Sequence, residues 1–61
     1  MRKLPDLNIN NYDEIFSMYK QYVDPHITYY KTGCNCSNSI DSLYKEVKRR
    51  ILDGRIKDVE L

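Results

Sequence analysis

The sequence SNSIDSLYKEVKRRILDG, residues 37–54, carries the strongest structural signal in this chain of 61 residues. Its apolar side chains recur at steps of three and four residues, which places them on one face of an α-helix. They are Ile40, Leu43, Tyr44, Val47, Ile51 and Leu52. Ser37 or Ser39 is the expected N-cap, and Gly54 stands where helices commonly end. The pattern predicts an amphipathic helix over about residues 38–53.

A second amphipathic helix is predicted upstream, in NNYDEIFSMYKQYVDP at residues 10–25. Its apolar side chains follow the same period. They are Tyr12, Ile15, Phe16, Tyr19, Tyr22 and Val23. Asn11 is the expected N-cap, and Pro25 ends the helix because the residue before a proline avoids helical backbone angles. We expect this helix to span about residues 12–23.

The segments outside these helices carry weaker signals. Residues 1–10 are expected to form an extended arm, and residues 55–61 an extended or weakly helical tail. An irregular connection joins the helices. The fold class is therefore predicted as all-α, with one small domain over residues 1–61 in which the helices form a hairpin or an open V. So short a chain buries only about 60% of its unfolded surface, which favours stabilisation by a partner.

Composition argues against several classes of protein. Ten Lys and Arg residues oppose nine Asp and Glu residues, so the net charge of +1 gives no strong overall attraction to nucleic acid or anionic membranes. No apolar run is long enough to span a bilayer, and the first residues lack the apolar core of a signal peptide. Two cysteines are too few for a secreted disulfide scaffold. We therefore expect an intracellular protein without a membrane segment.

The stretch TGCNCSNSI, residues 32–40, contains both cysteines. Zinc binding is one hypothesis, with Cys34, Cys36 and His26 as ligands. Asp24 would complete the set of four. However, the single residue between the cysteines is shorter than the usual spacing of zinc ligands. The other hypothesis, which we favour, is a helix entrance in which both thiols are reduced and no metal or other cofactor is bound.

Catalysis has little support in the sequence. The chain contains one histidine, and it is too short to enclose a pocket of several hundred cubic ångströms. We therefore expect that the protein is not an enzyme.

Tyrosine is the most informative residue type. Six tyrosines occur without a tryptophan, and tyrosine is enriched in protein interfaces because it combines apolar area with a hydroxyl. Tyr29 and Tyr30 are adjacent in the connection and cannot easily both face a two-helix core. We expect the chain to pack on a larger protein assembly, hetero- or homo-oligomeric, through these tyrosines and the apolar residues of the arms. The predicted interface residues are Leu4, Leu7, Ile9, Tyr29, Tyr30, Ile56, Val59 and Leu61.

The segment KEVKRRILDGRIK, residues 45–57, supports an alternative. Its basic side chains outnumber its acidic ones, so a local patch could meet phosphates although the net charge is small. A helix-turn-helix is not expected, because its helices are joined by three or four residues and the connection here is longer. The alternative function is a small nucleic-acid-binding regulator that uses the second helix.

Residues 32–51, TGCNCSNSIDSLYKEVKRRI, resemble a segment of small uncharacterised proteins of tailed bacteriophages. The shared features are a Gly-Cys-x-Cys, a polar helix cap and a helix with the pattern I..LY.E.K. The resemblance implies a minor virion component, for instance at the head, the portal or the tail connector, so the expected location is intracellular or within a virion. The leading functional prediction is a non-catalytic structural or adaptor protein.

Overall fold

The computed structural model describes residues 2–32 and 38–61. In chain order it contains a strand β1 (Arg2–Lys3), a 3₁₀ turn (Ile9–Asn11), the helices α1 (Tyr12–Tyr22) and α2 (Ile40–Leu52), and a strand β2 (Val59–Glu60). Both cysteines lie outside the described residues. The zinc hypothesis and the helix-entrance hypothesis depend on these cysteines, so both stay predictions.

Helix α1 confirms the helix predicted over residues 12–23, with its C-terminus one residue earlier. Ile15 and Met18 are fully buried on its inner face. Asp13 and Glu14 lie in the first turn, where negative charge suits the positive end of the helix dipole.

The start of α1 differs from the prediction. The Asn11 side chain makes no capping hydrogen bond, and its Nδ2 donates instead to the Asp6 carbonyl oxygen at 2.9 Å. The cap lies earlier in the chain, where Asn8 Oδ1 accepts a hydrogen bond from the backbone N–H of Asn10 at 2.9 Å. This bond begins the 3₁₀ turn, which leads directly into α1, so the polar cap serves the turn rather than the α-helix.

Helix α2 confirms the helix predicted over residues 38–53, with slightly shorter ends. Ser39 is its cap, because its Oγ accepts a hydrogen bond from the backbone N–H of Ser42 at 3.2 Å. The other candidate, Ser37, lies outside the described residues. Gly54 has a positive φ of 80°, as expected for the glycine that follows a helix end.

The apolar stripe of α2 is buried except at its C-terminal end. Ile40, Leu43 and Val47 are almost fully buried, whereas Leu52 is exposed. An α-helix turns by about 100° per residue, so Leu52 lies about 100° around the axis from Ile51 and misses the buried face.

The N-terminal halves of the two helices pack against each other, and so do their C-terminal halves. Ile15, in the first half of α1, shares a core cluster with Ile40 and Leu43 at the start of α2. Met18, further along α1, shares a second cluster with Val47, which is further along α2. This pairing indicates that the helices run in the same general direction. They therefore do not form an antiparallel hairpin, which was one of the two expected arrangements.

The first part of the connection between the helices, residues 23–32, returns along α1 toward its N-terminal half. The Tyr30 hydroxyl donates a hydrogen bond to Asp13 Oδ1 at 3.1 Å, and the Tyr30 ring meets the Phe16 ring with centroids 5.0 Å apart. Because α2 starts only after this return, it can run in the same direction as α1. The described part of the connection contains no helix and no strand of a sheet.

The two arms pair as a small parallel sheet, which corrects the all-α prediction. Arg2 pairs with Val59, and Lys3 pairs with Glu60. The backbone N–H of Leu4 donates to the Glu60 carbonyl oxygen at 2.8 Å. Each arm supplies the partner strand that the other needs, so the fold is mostly helical with a two-stranded sheet rather than strictly all-α.

Apolar side chains of the two arms complete the core. Leu4, Ile56 and Val59 are buried in one cluster with Met18 of α1 and Val47 of α2. The charged side chains between them are exposed. The core is therefore built by both helices and both arms.

Candidate protein-binding surface

The structure separates the predicted interface residues into a buried and an exposed group. Leu4, Ile56 and Val59 lie in the chain's own core, and Leu7 is half-buried against it. These side chains stabilise the fold of this chain and do not face outward, so we leave them out of the candidate surface. The pairing of the two arms buries them, and no local pattern in either arm indicates that pairing.

The exposed group contains Ile9, Tyr29 and Leu61, with 78%, 54% and 47% of their surface accessible. Leu52, at 67%, is a further exposed apolar side chain, which the sequence prediction placed in the buried stripe. Leu52 stands at the edge of that stripe in the helical pattern, and this position is the sequence signal for its exposure. Exposed apolar side chains that stand together mark interaction sites more often than isolated ones do.

The N-terminal end of α1 brings such side chains together. Ile9 precedes Tyr12 by three residues in the 3₁₀ turn, and Phe16 follows Tyr12 by one α-helical turn, so these residues share one face. Tyr30 packs onto that face, with its ring centroid 6.3 Å from Tyr12 and 5.0 Å from Phe16. The exposed Tyr29 is its neighbour in the chain. We call Ile9, Tyr12, Phe16, Tyr29 and Tyr30 the aromatic surface.

Tyr30 is fixed on this surface by two kinds of contact. Its ring packs on Phe16, and its hydroxyl bonds to the Asp13 carboxylate. Partial burial, and after it the bond to Asp13, raise the pKa of Tyr30 above the ordinary value for tyrosine. Lys20 Nζ lies 5.9 Å from the Phe16 ring centroid, within the range of cation–π attraction. These contacts hold the rings of Tyr12, Phe16 and Tyr30 together within the chain itself.

The basic segment over residues 45–57 is partly neutralised by Glu46. Arg50 Nε donates to Glu46 Oε2 at 2.8 Å, and Arg49 Nη2 donates to the same oxygen at 3.0 Å. These hydrogen bonds, from Arg50 first and Arg49 second, lower the pKa of Glu46. Lys48 is exposed and forms no ion pair with the described part of the chain. The free positive charge of α2 is therefore smaller than the sequence suggests.

Metal binding depends on residues outside the described part of the chain. Within that part, no group of three His, Cys, Asp or Glu side chains lies close enough to hold a metal ion. His26 is exposed, and its backbone N–H donates to Asp24 Oδ1 at 3.0 Å. The zinc hypothesis needs Cys34 and Cys36, so it stays a prediction.

Two further properties concern the described residues as a whole. They enclose no cavity of ligand size. No helix among them has the length and apolar character needed to cross a bilayer.

Comparison with known proteins identifies no relative of this chain. No family model matches it, and no match is found among curated proteins or among solved structures. The resemblance of residues 32–51 to bacteriophage proteins therefore stays a prediction, and the surface itself is the basis for a function.

Proposed function

We propose that this chain is a non-catalytic structural or adaptor protein that packs on a larger protein assembly through the aromatic surface. The observation that carries the proposal is the clustering of that surface at one end of α1. The rings of Tyr12, Phe16 and Tyr30 pack together there and are half-buried, and the exposed Ile9 and Tyr29 stand shortly before Tyr12 and Tyr30 in the chain. Interface cores are enriched in aromatic side chains because these bury a large area with few rotatable bonds.

The free energy available from burying the exposed side chains of this surface supports the proposal. Burial of one large apolar side chain contributes about 1.5–3 kcal/mol. A folded domain is stable by about 0.05–0.15 kcal/mol per residue, which gives a chain of this length only a few kcal/mol. Docking of Ile9 and Tyr29 would therefore stabilise the chain by an amount comparable to its own folding free energy.

The order of the surface also supports it. Binding normally costs free energy because side chains and loops lose freedom at the interface. Here the contacts of Tyr30 with Asp13 and Phe16 hold the connection against α1 without a partner. A partner that meets Tyr30 does not have to order its side chain.

A photo-crosslinking amino acid at position Tyr29 tests the proposal in cells that produce the protein. We expect one discrete crosslinked product, which disappears when Ile9→Arg is added to the same chain. Gln21 is the matched control position, because it is exposed on α1 at the opposite end of the helix. Diffuse products from Tyr29, or the same product from both positions, would contradict an interface at the aromatic surface.

In its finer form, the proposal places the chain in a virion, as a minor component of the head, the portal or the tail connector. This form rests on the resemblance of residues 32–51 to bacteriophage proteins. The crosslinked product should then remain with virus particles during density-gradient centrifugation. Its absence from the particles would remove the virion and leave the adaptor role standing.

A small nucleic-acid-binding regulator is the second candidate function. Lys45 and Lys48 support it, because both are exposed and lie three residues apart on one face of α2. The engagement of Arg49 and Arg50 by Glu46 counts against it. Binding to duplex DNA that weakens steeply with salt would distinguish this function from the first.

A further inference from the structure

The segment that follows α2 contains the only aspartate in the chain that precedes a glycine. The chain has two glycines, of which Gly33 follows a threonine and Gly54 follows Asp53. Asp53 and Gly54 are both exposed to solvent. A glycine has no Cβ to shield its backbone nitrogen, so this nitrogen is the one in the chain that a preceding carboxyl group reaches with least hindrance.

The reaction open to such a pair rearranges the backbone and needs no reactant other than water. The Gly54 nitrogen attacks Asp53 Cγ, a new C–N bond forms, and the carboxyl hydroxyl leaves as water with the proton of the amide. The product is a five-membered succinimide ring.

Water then adds to one of the two ring carbonyls and breaks one of the two C–N bonds. Opening at Cγ restores aspartate. Opening at the Asp53 carbonyl carbon gives isoaspartate, in which the main chain runs through Cβ and Cγ. One water is released and one is consumed, so the mass of the chain does not change.

The folded chain holds the pair in a geometry that prevents ring closure. The ring requires the Gly54 nitrogen to eclipse Asp53 Cβ about the bond between Cα and the carbonyl carbon. Asp53 has a ψ of −8°, which nearly eclipses the Gly54 nitrogen with the Asp53 backbone nitrogen instead. The backbone therefore has to rotate about this bond before the reaction can start.

Backbone hydrogen bonds to the last turn of α2 oppose this rotation. The N–H of Gly54 donates to the Ile51 carbonyl oxygen at 3.2 Å. The N–H groups of Arg55 and Ile56 both donate to the Arg50 carbonyl oxygen, at 2.9 and 3.3 Å. The rotation therefore breaks the contacts that tie the second arm, residues 55–61, to the end of α2.

Packing opposes the rotation as well. Ile56 is buried in the same core cluster as Leu4 and Val59, so it cannot follow a rotation at Asp53 without leaving the core. The end of α2 and the second arm have to open together. Such local openings cost less free energy than complete unfolding, so they occur in the native protein at a low level.

We propose that the Asp53–Gly54 bond is a site of spontaneous isoaspartate formation, which the fold protects and which reacts when the end of α2 opens. Isoaspartate adds one atom to the main chain between α2 and the second arm. The chain beyond it then loses its hydrogen bonds to Arg50 and the burial of Ile56. The modification therefore releases the second arm, including β2, from the core.

Incubation of the purified full-length chain at mildly acidic pH tests the site and its protection. Trypsin releases residues 51–55, ILDGR, as one peptide, whose aspartate and isoaspartate forms have the same mass and separate by chromatography. Electron-transfer fragmentation identifies each form. The wild type in urea should form isoaspartate at least about tenfold faster than the folded wild type, because unfolding removes every contact that restrains the pair.

A destabilised variant tests the protection without denaturant. Leu4→Ala weakens the core beside Ile56 and should accelerate isoaspartate formation in the folded chain. Leu61→Ala is the matched control: it removes an exposed leucine of the second arm and should react at the wild-type rate.

Two further controls identify the reacting group. Asp53→Glu should give no second product, because the longer side chain would have to close a six-membered ring, which forms much more slowly. Asp58 is exposed and precedes Val59, whose branched side chain shields its nitrogen, so Asp58 should stay unchanged in the same samples.

Hydrogen exchange tests the release of the second arm. The Leu4 amide donates to the Glu60 carbonyl oxygen at 2.8 Å, so it reports whether the two arms are paired. After incubation in urea and refolding, chains that contain isoaspartate should exchange this amide faster than unmodified chains and unfold at a lower urea concentration. Asp53→Glu, treated in the same way, should keep its original values.

Three results would each overturn part or all of the inference. Absence of isoaspartate in urea would exclude the reaction at this bond. Equal rates in the folded and the unfolded wild type would exclude protection by the end of α2. Unchanged exchange of the Leu4 amide in the modified chain would exclude release of the second arm.

Discussion

The hydroxyl of Tyr30 donates a hydrogen bond to Asp13 Oδ1 at 3.1 Å, and this bond joins the connection to the first turn of α1. Tyr30 and Asp13 lie on different segments of the chain, and no sequence pattern relates these two segments. The same contact gives the aromatic surface its shape, because it holds the Tyr30 ring beside Tyr12 and Phe16.

Replacement of Tyr30 by Phe should reduce the stability of the fold slightly, because it removes this hydrogen bond and keeps the ring. Tyr30→Ala should reduce it more, because the ring contacts with Tyr12 and Phe16 are lost as well. Tyr29→Phe is the control. Urea-induced unfolding followed by circular dichroism measures the differences, and equal effects of the two Tyr→Phe changes would show that the bond is unimportant.

The raised pKa of Tyr30 predicts a loss of stability at alkaline pH. The folded chain favours the neutral phenol, so this contribution is fully present below the ordinary tyrosine pKa and is lost as pH rises through the higher pKa of the folded state. The wild type should lose stability above about pH 10, and Tyr30→Phe should lose less. Tyr19, whose pKa is raised first by burial, is present in both chains and cancels in the comparison.

Replacement of Leu4 by Ala should destabilise the isolated chain by about 2–5 kcal/mol, because Leu4 is buried in the core beside Met18 and Val47. Leu61→Ala removes an exposed leucine from the other arm and should change stability by less than about 0.5 kcal/mol. Thermal and urea unfolding of the dilute chain provide both values. If the first arm were free and waiting for a partner, neither substitution would have an effect.

Replacement of Glu46 by Gln should destabilise the chain modestly at neutral pH, because its ion pairs with Arg50 and Arg49 are partly exposed to solvent. The lowered pKa of Glu46 means that its contribution is present above the ordinary glutamate pKa and is lost as pH falls through the lower pKa of the folded state. The difference between wild type and variant should therefore shrink below about pH 4. A difference that stays constant down to about pH 2 would argue against the ion pairs. Glu60→Gln is the control, because Glu60 forms no ion pair within the described residues.

DNA binding by α2 would depend on Lys48. In a plot of log affinity against log salt concentration, Lys48→Ala should reduce the slope by about one if Lys48 meets a phosphate. Lys31→Ala, near the other end of the molecule, should leave the slope unchanged. Fluorescence anisotropy with a labelled duplex measures both. An absence of binding at low salt would remove the second candidate function.

The features that the sequence predicted are local. The apolar period of each helix, the cap at Ser39 and the glycine at position 54 depend on neighbours within a few residues, and each is confirmed. The aromatic surface was only partly predictable. Ile9, Tyr29 and Tyr30 stood out, but the role of Phe16 as a platform for Tyr30 depends on the path of the connection.

The features that the sequence did not predict depend on long-range pairing. The shared direction of the helices follows from the return of the connection along α1. The hydrophobic period of a helix carries no information about this return. The parallel sheet joins Leu4 to Glu60, and the two arms are too short to show the alternation of a strand with one buried face. The sequence therefore predicted that Leu4 and Val59 contact another protein. In the structure, the arms that carry them pair with each other.

The pairing of Arg2 with Val59 also bears on the order of folding. It spans 57 positions (59 − 2 = 57), nearly the whole chain. The entropy cost of closing a loop grows with its length, and folds rich in such distant contacts form slowly. We expect the helices to dock first and the two arms to join them last, after the docked helices have brought the arms near each other. Substitutions at Leu4 or Val59 should then accelerate unfolding more than they slow folding, because their contacts are absent from the transition state.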